Sequence, residues 1–160
     1  MLTAILATHL VLAPAVAKLD VYVETRRVGE VLWEEKKLDG GGKSTVLVMT
    51  MQVDGASARV RQETVVDSTG RATRKINELV NGKARRLVVA ELSLKGANLT
   101  ITEDGKTSQK FVPVSEKVPL ENPSEFWFRP TVPKVGSKAV YYNFDMSELT
   151  WRLEETLYEG

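Results

Sequence analysis

The sequence predicts a mainly all-β protein: an antiparallel meander sheet, strongly curled into a half-barrel or open barrel, with one short helical turn near 123–128. Three observations lead there. Between Ser44 and Val114, runs rich in Val, Leu, Ile, Thr and Met are separated by short polar turns. These fall at Asp54-Gly55, Asp67-Ser68-Thr69-Gly70, Asn81-Gly82, Gly96-Ala97-Asn98 and Asp104-Gly105. Asn-Gly and Asp-Gly supply the positive φ that two-residue hairpin turns require. The chain also lacks a long amphipathic helical pattern and any repeat of fixed period. Its roughly ten strands are about the number at which an open twisted sheet curls or splits into two layers, and consecutive hairpins favour a meander over crossings.

The elements follow in order. Residues 1–17 carry no charged side chain, have an apolar centre and end in Ala15-Val16-Ala17, a small-x-small cleavage pattern. A signal peptide is expected there, removed to leave a single β-rich domain at 18–160. The apolar run is shorter than the ~20 residues a membrane-spanning helix needs, so no transmembrane segment is expected in the mature chain. Leu19 to Arg27 alternates, with Leu19, Val21 and Val23 opposite Asp20, Tyr22, Glu24 and Arg26. Gly29 interrupts, which suggests a tight reversal or a bulge, and Val31 and Trp33 resume the alternation. Asp39-Gly40-Gly41-Gly42-Lys43 reads as a flexible hairpin loop, since its glycines and Lys43-Ser44 lack the spacing of a phosphate-cradling loop.

In the ladder, Thr45, Leu47, Met49, Met51 and Val53 share one side of a strand that is apolar on much of both faces, as a central strand would be. Ala58, Val60 and Val66 oppose Ser57, Arg59, Arg61 and Glu63. Arg71 to Val80 suits a weak strand or a short helix equally. Ala84 to Leu94, Ala97 to Thr102 and Lys106 to Val114 alternate more clearly. Asn122-Pro123 with Glu125 is a helix-start pattern leading into Phe126, Trp127 and Phe128, three aromatics that either plug a curled sheet or line its mouth. A turn at Lys134-Val135-Gly136-Ser137 precedes two final strands, around Val140–Phe144 and Leu149–Leu153. The abrupt end at Tyr158-Glu159-Gly160 suggests part of a longer exported protein.

Composition narrows the chemistry. The 160 residues hold no cysteine and one histidine, His9, inside the expected leader. Without thiol or imidazole, Cys-His and Ser-His-Asp catalysis and the usual zinc sites fall away. Glu34-Glu35 and Glu154-Glu155 are neighbours on strands, so each pair points to opposite faces and cannot flank one substrate. Glu125, beside the aromatics, is either a desolvated acid or simply a helix-start carboxylate. No catalytic residue, metal or cofactor is expected.

A net charge of +1 gives no global pull toward nucleic acid. A basic cluster runs from Arg59 to Arg86, but no aromatic residue interleaves with it, so no nucleic-acid partner is expected. Arg59 and Arg61 share a face and suit an anionic group, as guanidinium binds phosphate or carboxylate in bidentate fashion. A solvated strand face that discourages aggregation is the alternative. Met49 and Met51 suit an adaptable apolar lining, or equally a packed core.

The Val28-Gly29-Glu30 step, the meander with Asp-Gly turns, the Pro133-Lys134-Val135-Gly136 turn, Tyr141-Tyr142-Asn143-Phe144-Asp145 and the Trp151 strand together resemble exported curled-sheet proteins related in shape to the Lol-type lipoprotein carriers. That resemblance implies a half-barrel with a lipid-like cargo. The carriers wrap their sheet around lid helices, whereas here only the turn near Phe126 stands in that place. The expected function is an exported, periplasmic or secreted, non-enzymatic binding module. It would hold a lipid or other apolar molecule against Met49, Met51, Phe126, Trp127 and Phe128, with Arg59 and Arg61 for an anionic group. The alternative is a structural or accessory β-domain of the cell envelope that contacts another envelope protein.

Overall fold

The computed structural model describes residues 16–53, 55–114 and 132–159. Eight strands form one antiparallel sheet in which every neighbour in sequence is a neighbour in space. They are β1 (Val16–Val23), β2 (Arg26–Lys37), β3 (Lys43–Val53), β4 (Ala56–Val66), β5 (Ala72–Asn81), β6 (Ala84–Leu92), β7 (Gly96–Glu103) and β8 (Lys106–Pro113). A separate two-stranded hairpin follows, β9 (Lys138–Asp145) with β10 (Thr150–Leu157). The mainly β, meandering architecture is the one the turn pattern implies. Among the described residues β1 and β8 are the two edges of the large sheet.

Turn chemistry accounts for most of the connections. Asp104 and Gly105 both take positive φ, 48° and 83°, between the paired residues Glu103 and Lys106, as a two-residue hairpin requires. Gly82 supplies a φ of 59° beside Asn81. The Asp67 carboxylate accepts hydrogen bonds from the amides of Thr69 and Arg71, which closes the β4–β5 loop. At Asp39–Gly41 the expected flexible loop is a short 3-10 turn, in which the Leu38 amide donates to the Gly42 carbonyl at 2.9 Å.

Three local expectations shift. The run read as continuous from Leu19 to Arg27 is broken by the β1–β2 turn, where Glu24 has a φ of 55°. Gly29 is therefore not the reversal; it lies within β2 at a bulge. Val21 faces Gly29 and Tyr22 faces Arg27, so Val28 is the extra residue and is buried. Glycine is needed because a Cβ at Gly29 would sit 2.1 Å from the Thr50 carbonyl oxygen on β3. Gly96-Ala97-Asn98 belongs to β7 rather than to a turn. The reversal comes earlier, at Ser93–Lys95, where the Ser93 hydroxyl donates to the Gly96 carbonyl and accepts from the Lys95 amide. Arg71 to Val80, the ambiguous run, is strand β5 from Ala72 onward: pairing on both sides settles a weak local preference. The expected helical turn near 123–128 lies outside the described residues. So does the expected leader, except for Val16 and Ala17, which begin β1 opposite Glu34 and Trp33.

Register assigns the two faces, because directly paired residues project to the same side. One face carries Val88, Ala90, Leu92, Ala97, Leu99 and Ile101 toward the β8 edge. The hairpin packs there: Phe144, 1% exposed, joins buried Ala90, Ala97 and Leu99. The Phe144 and Trp151 rings meet edge to face with centroids 5.1 Å apart, and the Trp151 indole N–H donates to the Val112 carbonyl. A polar tie reinforces the seam. Buried Lys75 donates from Nζ to Asn143 Oδ1 at 2.5 Å, and the Asn143 amide donates to Glu154 at 2.9 Å.

Candidate functional site

The same face continues past the hairpin onto β1–β5. One register row there reads Leu19, Val31, Met49, Val60, Leu79 across five adjacent strands. The next row adds Ala17, Trp33 and Leu47, and a third places Val21, Gly29, Met51 and Ala58 together. The rows arise because each strand alternates, and because the turns set registers that bring the apolar positions into line. Leu19 and Leu79, at the two ends of the first row, are 40% and 42% exposed, and Val31, Met49 and Val60 between them are only half-buried. This apolar strip is wider than one strand and stays partly open to solvent.

Met49 and Met51 therefore share one face, as their spacing requires, and they belong to this strip. A cleft of about 490 Å³ lies at the end of the sheet that carries the β1–β2 and β3–β4 turns. It is lined by Val28, Gly29 and Met51 together with Glu30, Thr50, Gln52 and Ser57, which register places on the face opposite the strip, and with Arg26 and Arg27 beside them. Arg27 is held by Asp20 at 2.8 Å and Glu30 at 3.2 Å. The hydrogen bond from Lys18, its charge and the nearby Arg27 hold the Glu30 carboxyl below its ordinary range. A smaller groove of about 260 Å³ lies between the sheet and the hairpin, bordered by Gln62, Thr64, Lys75, Asn77 and Asn143. Phe126, Trp127 and Phe128 lie outside the described residues, as does Glu125.

Arg59 and Arg61 project from the opposite face of β4. There they are tied to carboxylates of this chain. Arg59 lies 3.8 Å from Glu78, which also holds Arg85 at 2.7 Å, and Arg61 pairs with Glu63. Glu63 in turn accepts from the Ser44 hydroxyl, and Arg74 pairs with Glu91 on the same face. The basic cluster that stands out in sequence is thus a cross-strand charge ladder, in which Glu78 and Glu91 arrive from neighbouring strands. The two consecutive Glu pairs diverge: Glu34 meets Lys36 and Glu35 meets Lys43, while Glu154 accepts from Asn143 and Glu155 meets Lys138.

Among the described residues no group of three or more His, Cys, Asp or Glu side chains is arranged to hold a metal ion. Nor is any helix among them long and apolar enough to cross a bilayer. Two features escaped the sequence. The apolar row needs cross-strand register, which alternation within single strands does not give. The Lys75–Asn143 tie joins positions 68 apart, and nothing local to either marks it. No family model matches the chain, and neither a curated protein nor a solved structure matches it.

Proposed function

We propose that this chain is an exported, non-enzymatic binding module, periplasmic or secreted, that holds an apolar or lipid-like molecule against the β1–β5 strip. The observation that carries the reading is the half-open row Leu19, Val31, Met49, Val60 and Leu79. Contiguous apolar surface in contact with water, as opposed to singly scattered apolar residues, is the kind of patch that marks a binding face. Met49 and Met51 give it an adaptable lining. The bulges at Val28 and between Val65 and Val66 favour local bending and stronger twist, which is what a half-barrel like that of the Lol-type carriers needs. Arg59 and Arg61 have no part in this reading, because both lie on the other face with carboxylates of their own.

Titration of the full chain with an apolar fluorescent probe such as N-phenyl-1-naphthylamine tests it. Met49→Lys and Val31→Asp should each weaken probe binding by about tenfold or more, since an unpaired charge against an apolar ligand is costly. Arg61→Gln should leave it unchanged. Equal probe binding by the Met49→Lys and Val31→Asp variants would remove the strip from the site.

Among the described residues the outer edge of β1 has no strand beside it, which favours a second reading, an accessory envelope domain that docks another protein by strand addition. Removal of the leader after Ala17 would leave Lys18–Val23 as that edge. In this version the apolar strip is covered by the partner, and no small molecule copurifies.

A further inference from the structure

We propose that the end of the sheet carrying the β2–β3 and β6–β7 connections is a docking rim for an anionic lipid surface. In a meander these two connections emerge at the same end. Each displays a leucine next to a lysine: Lys37-Leu38 in one and Leu94-Lys95 in the other. Leu94 is 58% exposed and Leu38 39%. Tight turns select Gly, Asn, Asp and Ser for their backbone needs, and leucine serves none of those needs.

Both leucines are held by ordered backbone. The turn around Leu94 is closed by the Ser93 amide donating to the Gly96 carbonyl at 2.9 Å and by the three bonds of the Ser93 hydroxyl, which donates to the Gly96 carbonyl and accepts from the Lys95 and Gly96 amides. The loop after Leu38 is closed by its amide donating to Gly42 and its carbonyl accepting from Gly41. Lys37 and Lys95 are exposed beside them. Nearby Lys36 and Lys43 are engaged by Glu34 and Glu35. Among the described residues, Asp39 and Asp67 are the acidic groups of the rim's loops and Arg71 its further cation. At the opposite end the turns hold Glu24-Thr25, Gly55, Gly82-Lys83 and Asp104-Gly105, none of them apolar; the exposed Tyr22 and Val23 there lie within β1. An apolar tip flanked by a cation is the combination that seats in a headgroup layer: the leucine enters the interface and the lysine meets lipid phosphate. Such docking holds whether or not the β1–β5 strip carries a ligand.

The absence of cysteine makes a local readout clean. An environment-sensitive dye would be attached to the full chain at Leu94→Cys, Leu38→Cys or, at the opposite end, Lys83→Cys. Each would be mixed with vesicles of phosphatidylglycerol and phosphatidylcholine. Dyes at 94 and 38 should brighten and shift to the blue, while the dye at 83 stays in water. Lys37→Gln with Lys95→Gln should weaken vesicle binding by roughly twenty-five-fold, at a factor of about five for each basic residue removed near an anionic surface. Dyes at 94 and 38 that remain aqueous, or a dye at 83 that responds as strongly, would overturn the rim.

Discussion

Phe144→Ala probes the seam between the two β layers most directly. The ring is 1% exposed and fills the space bounded by Ala90, Ala97 and Leu99, with Trp151 at its edge. Truncating such a side chain costs about 3–5 kcal/mol, which already includes the lost transfer energy and the cavity. Alanines at 90 and 97 have no side-chain length with which to refill the space, so the upper half of that range applies. Against a total stability of about 5–15 kcal/mol the loss is large. With a urea dependence of about 2 kcal/mol per molar, the midpoint should fall by about 2 M. The hairpin is a separate two-stranded sheet, and such a unit is barely stable by itself. Loss of its anchor should therefore release it before the eight-stranded sheet unfolds. Trp fluorescence, sensitive to Trp151, should then change at lower urea than far-UV circular dichroism. Coincident transitions with a stability change below about 1 kcal/mol would refute the assignment of Phe144 as the anchor.

Other perturbations give separate checks. Gly29→Ala would drive a Cβ into the Thr50 carbonyl; it should cost about 1–3 kcal/mol or more and open β2 from β3, read as faster amide exchange at the Val28 bulge. Lys75→Met alone leaves the Asn143 carbonyl without its donor and should destabilise by about 1–3 kcal/mol, whereas pairing it with Asn143→Leu should recover part of that, a coupling measurable by a double-mutant cycle. Hydrogen bonds from the Ser147 hydroxyl and the Glu148 and Ser147 amides, with Arg152 nearby, hold the Asp145 carboxyl below its ordinary range. Its folded pKa is thus below the unfolded value, so its contribution is present above about pH 3.9 and disappears as pH falls through the folded pKa. Melting temperature should drop across that acidic window, and Asp145→Ala should flatten the drop; an unchanged slope would contradict the assignment.

The fold was legible where the physics is local. Asp104-Gly105 and Asn81-Gly82 announce their turns because few residues accept positive φ, and the alternation of Ala97, Leu99 and Ile101 states which side of β7 is buried. The β6–β7 reversal was misplaced because Ser93 closes it through its hydroxyl, a subtler signal than the glycine two residues past the tip. Gly29 advertises a special backbone position, but only the Thr50 carbonyl across the sheet says why. The candidate site was half visible: Met49 and Met51 are readable as one face, while the row through Val31 and Val60 depends on registers set by four different turns. Arg59 and Arg61 looked like an anion site because their carboxylate partners, Glu63 and Glu78, count as sparse in sequence yet lie adjacent in space.

The most direct measurement of the central claim is native mass spectrometry of the chain purified without detergent, before and after organic extraction. A bound mass of a few hundred daltons should be present in the first sample and absent from the second, and the Met49→Lys variant should lack it from the start. A clean unliganded mass that gains nothing on incubation with total lipid extract would contradict the binding-module account and leave the accessory envelope domain in its place.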